Sequence, residues 1–197
     1  MKKSLLTFIV LNLVTIAFTQ SFVSNEISNN EARYERIDLY DDEENVVASV
    51  SPKFYKHKSL KKRVKPIKVD GKTLFIIKGK SGTQSVCTEA GDHVALMNRH
   101  ERTIQMVGDL QKYTFHPTVK FSNFNVLECK DGEGTLVSTT AFNGDRKLSY
   151  EHNDEQTSSS LLMALCIHQY QELLLGERGI LSALNGINAI SNGICLF

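Results

Sequence analysis

From Tyr34 to Glu151 the chain alternates apolar and polar positions in short runs, broken by turn-forming residues about every eight to twelve positions, the pattern of an all-β sandwich or barrel. The runs that read as strands are Tyr34–Tyr40, Asn45–Val50, Val64–Val69, Thr73–Lys78, Gln84–Thr88, His93–Asn98, Arg102–Val107, Lys112–Phe115, Thr135–Phe142 and Arg146–Tyr150, with Val119–Lys130 as one longer, bent strand. Between them stand Asp41–Glu44, Asp70-Gly71, Ala90-Gly91-Asp92, Asp131–Gly134 and Asn143-Gly144, short connections that make the strands antiparallel hairpins. Pro66 cannot donate to a ladder, which marks Val64–Val69 as an edge strand.

The pattern changes at Ser158–Leu175. Leu161 through Ile167 are seven consecutive apolar residues, nearly two helical turns with no polar side, and a helix apolar all round is buried all round. Thr157–Ser160 offer capping hydroxyls and Gly176 a C′ residue. The second half is amphipathic on paper, with His168, Gln169, Gln171 and Glu172 in one arc, so the helix is expected to emerge at a barrel mouth there. Many antiparallel strands leave two vulnerable edges unless the sheet closes. The fold class is therefore mainly β with a central helix: a closed antiparallel β-barrel of about 10–12 strands threaded by a hydrophobic C-terminal helix.

The ends read differently. Residues 1–19 have the parts of a secretory signal: Lys2 and Lys3, an apolar Leu5–Phe18 segment shorter than a membrane span needs, and small residues at Ala17 and Thr19. Cleavage near Thr19/Gln20 and a secreted or periplasmic location are expected. Residues 20–33 read as a polar linker, 34–176 as the barrel, and 177–197 as a tail with Gly179, Gly186 and Gly193 among Ile and Leu. That tail is either a short helix over the barrel end or a segment that touches membrane. An exported chain can carry disulfides, and Cys87–Cys129 is the expected pair, both lying on strands. Cys166, inside the apolar helix, reads as a buried thiol.

This succession resembles the tubby C-terminal-like superfamily, which includes the phospholipid scramblases and the LURP-one-related proteins. Asp38-Leu39-Tyr40 through Asn45–Ser49 is similar to its opening hairpin, followed by Phe54-Tyr55. Phe75–Lys80 is similar to the next strand, Gly91–Ala95 to a repeat of the hairpin with Arg99 after it, and Leu161–Leu165 to the central helix. The resemblance covers Tyr34 to Leu175 and implies a closed barrel around a hydrophobic helix. The first turn departs from the family pattern, with Glu43-Glu44 where a Gly is usual. Tubby-like domains hold phosphoinositide headgroups with basic barrel residues, but no residue-by-residue match transfers that site.

The net charge is only +1, yet its distribution is uneven. Between Lys53 and Lys80 stand eleven Lys and Arg residues and one acid, Asp70. Lys56, Lys58, Lys61, Lys62, Arg63, Lys65 and Lys68 are the candidate site for an anionic membrane surface or another polyanion. The competing reading is a solvated edge that discourages aggregation. Aromatic residues do not interleave the stretch as a nucleic-acid groove requires, so no nucleic-acid partner is expected. Cys87 with His93 or His100 can be drawn as a nucleophile pair, but no catalytic signature supports it and no metal-ligand spacing occurs. The expectation is a non-enzymatic protein with no cofactor. A domain that meets an unknown protein partner and a lipocalin-like carrier of a small apolar molecule are the alternatives.

Overall fold

A computed structural model describes residues 20–27, 35–108, 111–119, 125–142, 146–153 and 159–173. The expected signal segment, residues 28–33 of the expected 20–33 linker, the Asn143-Gly144 turn, the Ser158 and Gly176 caps, Cys195 and the 177–197 tail lie outside these residues. The strands are β1 (Gln20–Ser24), β2 (Ile37–Tyr40), β3 (Val46–Val50), β4 (Tyr55–Lys56), β5 (Arg63–Val69), β6 (Lys72–Lys78), β7 (Thr83–Cys87), β8 (His93–Asn98), β9 (Thr103–Met106), β10 (Lys112–Val119), β11 (Asn125–Lys130), β12 (Leu136–Phe142) and β13 (Leu148–His152), followed by the helix α1 (Ser160–Leu173).

Apart from β3 and β4, consecutive strands pair antiparallel, and two further pairings close the sheet. β1 pairs with β13, Gln20 opposite His152, and β3 pairs with β5, Val50 opposite Ile67. The result is a closed ring of twelve strands, with β4 as an extra strand on β5. Alternation sends Ile37 and Leu39, Ile67 and Val69, Ala95 and Met97, and Tyr113 and Phe115 into one core with α1 at its centre. Leu162 through Gln171 are buried without interruption along the helix. At about 1.5 Å per residue, fourteen residues span roughly 21 Å, close to a seven-residue strand at about 3.3 Å each. The plug and the wall match in length.

Four expectations need correction. The stretch expected as linker contributes β1: Phe22 and Ser24 point inward, the Ser24 hydroxyl accepts from the Leu148 N–H at 2.8 Å, and Ile27 is buried. Val119–Lys130 is not one bent strand, since β10 ends at Val119 and β11 begins at Asn125. Val64–Val69 is not an edge. β5 is paired along both sides, and Pro66 falls where β3 has ended and β4 has not begun, so its missing N–H costs no ladder bond. The polar half of α1 does not emerge either: His168 is 0 %, Gln169 1 % and Gln171 2 % exposed.

The ring is built on an internal repeat of four strands. β2–β3, β7–β8 and β11–β12 are bulged hairpins of the same construction, set four strands apart around the ring. Each bulge falls immediately before Asp41, Thr88 or Asp131, whose side chain accepts backbone N–H bonds from within the turn. Each turn then has one residue at positive φ: Glu44 at 61°, Gly91 at 98° and Gly134 at 88°. Glu44 thus occupies the left-handed position that glycine fills in the other two turns. Glu44→Gly is expected to raise stability by about 1 kcal/mol, the left-handed penalty of a residue with a Cβ, as read by urea unfolding.

Candidate functional site

Strand direction assigns every connection to one of two barrel mouths. The turns 41–45, 70–71, 88–92 and 131–135 lie at the mouth where α1 begins. Among the described residues they carry Asp41, Asp42, Glu43, Glu44, Asp70, Glu89, Asp92, Asp131 and Glu133, and no Lys or Arg. The connections 51–62, 79–82, 99–102 and 146–147, with Arg36, lie at the mouth where α1 ends. They carry Lys53, Lys56, Lys58, Lys61, Lys62, Lys80, Arg99, Arg102, Arg146, Lys147 and Arg36 against Glu26, Glu35 and Glu101. The barrel is acidic at one mouth and basic at the other. The α1 macrodipole is aligned with this split, its positive N-terminus at the acidic mouth, where Ser160 donates to Asp70 at 2.7 Å.

Beneath the basic mouth lies a buried polar cluster. Lys65 alternates with Ile67 and Val69 and therefore points into the lumen, where it is 1 % exposed. Its Nζ donates to Gln171 Oε1 at 2.7 Å and to His168 Nδ1 at 3.1 Å. Donation to Nδ1 leaves the His168 proton on Nε2, which donates to Gln84 Oε1 at 2.8 Å. Burial pushes the Lys65 ammonium down to about 8, with Glu172 opposing the shift and Lys78 adding to it. Burial first, then the nearby charges of Lys65, Lys78 and Arg99, hold His168 well below its usual range, so its ring is neutral. Phe54 packs edge-on against His168, Lys78 Nζ stands 4.6 Å from the centre of the Phe54 ring, and Arg99 meets Glu172 at 3.9 Å.

The expected basic site is redistributed by this geometry. Lys56, Lys58, Lys61, Lys62 and Arg63 are exposed together at the basic mouth. Lys65 belongs to the lumen, not to the surface. Lys68 is exposed on the outer wall toward the acidic mouth, opposite Ser49 and Thr73, and does not join the cluster. The residues missed are Lys80, Arg99, Arg102, Arg146 and Lys147, which come from distant connections and share a mouth only because the ring closes. The first cluster sits on an insertion. In the other two repeats the equivalent connections, 99–102 and 143–147, have four and five residues, whereas 51–62 has twelve. The inserted β4–β5 hairpin folds over the outer wall, with Leu60 packed on Val64, Phe75, Ile77 and Cys87, and His57 against Phe75. That anchoring turns its lysines outward. Lys56, Lys58, Lys61, Lys62 and Arg63 make no ion pair among the described residues.

The expected Cys87–Cys129 pair is not formed. Alternation with the inward Gln84 and Val86 points Cys87 into the outer cluster, opposite Phe75, while Cys129 faces the core beside Cys166; all three thiols are free and buried. Cys87 Sγ does lie 3.4 Å from His93 Nδ1, but at 1 % exposure beneath Leu60 the thiol has no path to a substrate. Among the described residues no cluster of His, Cys, Asp and Glu could hold a metal ion. Two surface clefts of about 300 and 220 Å³ are present, and neither is lined by Lys65 or His168.

The buried cluster makes two outcomes measurable. Gln171→Ala, which deprives a buried ammonium of one acceptor, is expected to cost about 1–3 kcal/mol in urea unfolding. Between pH 8 and 10.5 the unfolded chain holds a proton on Lys65 that the folded chain has released, so stability rises with pH through this window, by about 3 kcal/mol over the full range. Unfolding titrations of wild type and Lys65→Met from pH 7.5 to 9.5 are expected to show the rise only in wild type. No protein-family model matches the chain, and neither a curated protein nor a solved structure matches it.

Proposed function

We propose that the protein is a non-enzymatic, exported barrel that binds anionic lipid or another polyanion through its basic mouth, and that it belongs with the tubby-like barrels. The observation that carries the binding reading is the insertion 51–62. Closure of the ring does not require it, since the other two repeats close with four- and five-residue connections. It adds five lysines and no acid, and it holds four of them, Lys56, Lys58, Lys61 and Lys62, exposed and without ion pairs among the described residues. Protection of a sheet edge is a weaker account of these charges. β4 is two residues long and pairs with only two positions of β5, Arg63 and Val64.

The closed ring around one buried helix supports the family placement. The same filling disfavours a carrier of apolar cargo, because α1 occupies the lumen that a cargo would need. An amine whose proton is held less tightly than usual, such as Lys65, would suit covalent chemistry, but its burial away from both clefts disfavours an enzyme. Co-sedimentation with vesicles tests the binding reading. Wild type is expected to bind acidic vesicles at low salt, to be released at high salt, and to ignore neutral vesicles. At about 1 kcal/mol per basic residue near the surface, Lys61, Lys62 and Arg63→Ala together are expected to weaken binding by about 100-fold. Equal partitioning onto neutral and acidic vesicles, or an unchanged triple variant, overturns the proposal.

A further inference from the structure

We infer that the partner is an anionic bilayer and that the barrel stands on it end-on, basic mouth down, with the insertion 51–62 as the element in contact. This inference rests on the anion-binding reading above and adds to it a partner and an orientation.

The orientation follows from how the charge is divided. The basic and acidic connections stand at opposite ends of a wall about 20 Å tall, given strands of four to eight residues at about 3.3 Å each. The Debye length at physiological salt is about 8 Å, so with the basic mouth down the carboxylates at the far mouth lie more than two screening lengths from the surface. Inverting the barrel places those carboxylates against an anionic surface and takes the lysines out of range. Laying it on its side exchanges the cluster of five at Lys56–Arg63 for scattered wall charges such as Lys68 and Lys72. A single docking pose therefore dominates on any extended anionic plane, whereas a flexible soluble polyanion can wrap without imposing one.

The insertion has the composition of a contact element for a headgroup layer. Tyr55 is 46 % exposed next to Lys56 and His57, an amphipathic ring beside cations on the insertion. Its anchoring through Leu60 and His57 to the outer cluster presents these groups from a fixed base. α1 also ends at this mouth, with the apolar, Gly-spaced 177–197 stretch following it in sequence.

The chain has no Trp, so a single introduced indole reports one position. Tyr55→Trp and Ser59→Trp place it on the insertion, and Val46→Trp, at a site 47 % exposed, places it beside the acidic turn 41–45. Each variant is mixed with phosphatidylglycerol/phosphatidylcholine vesicles carrying acyl-brominated lipid, with binding followed by co-sedimentation and binding to heparin measured in parallel. The expected result is that all three bind as wild type does, with emission blue-shifted and quenched only where the indole sits on the insertion, never beside the acidic turn. Equal quenching at both mouths, or quenching only in Val46→Trp, overturns the orientation while the anion-binding reading stands. Binding to heparin without binding to vesicles overturns the bilayer as partner and leaves the polyanion reading intact. Binding to neither removes that reading and this inference with it.

Discussion

A ring of twelve strands encloses more space than its own inward side chains fill, and the rest of this structure depends on α1 occupying that space. The helix meets wall on every side, so it cannot have the single apolar stripe of a surface helix. Where it does carry polar groups, each must be answered from the wall. Lys65 and Gln84 are the answers: a cation placed on an inward strand position next to Ile67, and an amide facing a histidine ring. These interactions fix the depth and rotation of the helix in a way that Leu and Ile contacts, being non-directional, do not.

The same placement links packing to electrostatics. The helix ladder leaves unpaired N–H groups at one mouth and unpaired C=O groups at the other, and the helix itself has no acid in its first turn and no base in its last. The barrel wall and its connections supply both. Asp70 stands by the N-terminus, and Lys65, Lys78 and Arg99 gather near the C-terminus, so the polarity of one secondary-structure element extends over the whole molecule. The charge division between the mouths is compatible with a net charge near zero because the two halves cancel in the sum but not in space.

Much of this architecture was legible in the sequence because strand alternation and an all-apolar helical run are strong, local signals. The closed barrel, the central helix and the buried Cys166 follow from them. What was missed depended on closure or on which side of the sheet a residue faces. β1 lies in a polar stretch whose inward residues, Phe22 and Ser24, alternate too briefly to be distinguished from a linker. The proposed disulfide fails because Cys87 alternates with the inward Val86 and faces the outer cluster while Cys129 faces the core, a difference of side that pairing by strand membership alone ignores. The position of Lys65 could have been found. It shares parity with Ile67 and Val69, but its place within a run of bases masked that signal. The basic mouth as a whole could not, because Arg99, Arg102 and Arg146 join the insertion only through the curvature of the ring.

The seam between β1 and β13 has a consequence for how the molecule comes into being. It joins Gln20 to His152, the first described strand to the last, so no part of it can form until the whole wall has been synthesised. A contact of such wide sequence separation carries a large loop-closure cost and is reached slowly. The plug comes later still, since α1 follows β13 along the chain. A helix about 10 Å across with its side chains cannot thread a ring already shut around inward-packed residues. The order of the chain therefore sets the order of assembly: an open, curved sheet first, the helix laid into its hollow second, and β1 last, as the stave that shuts the cask around its contents.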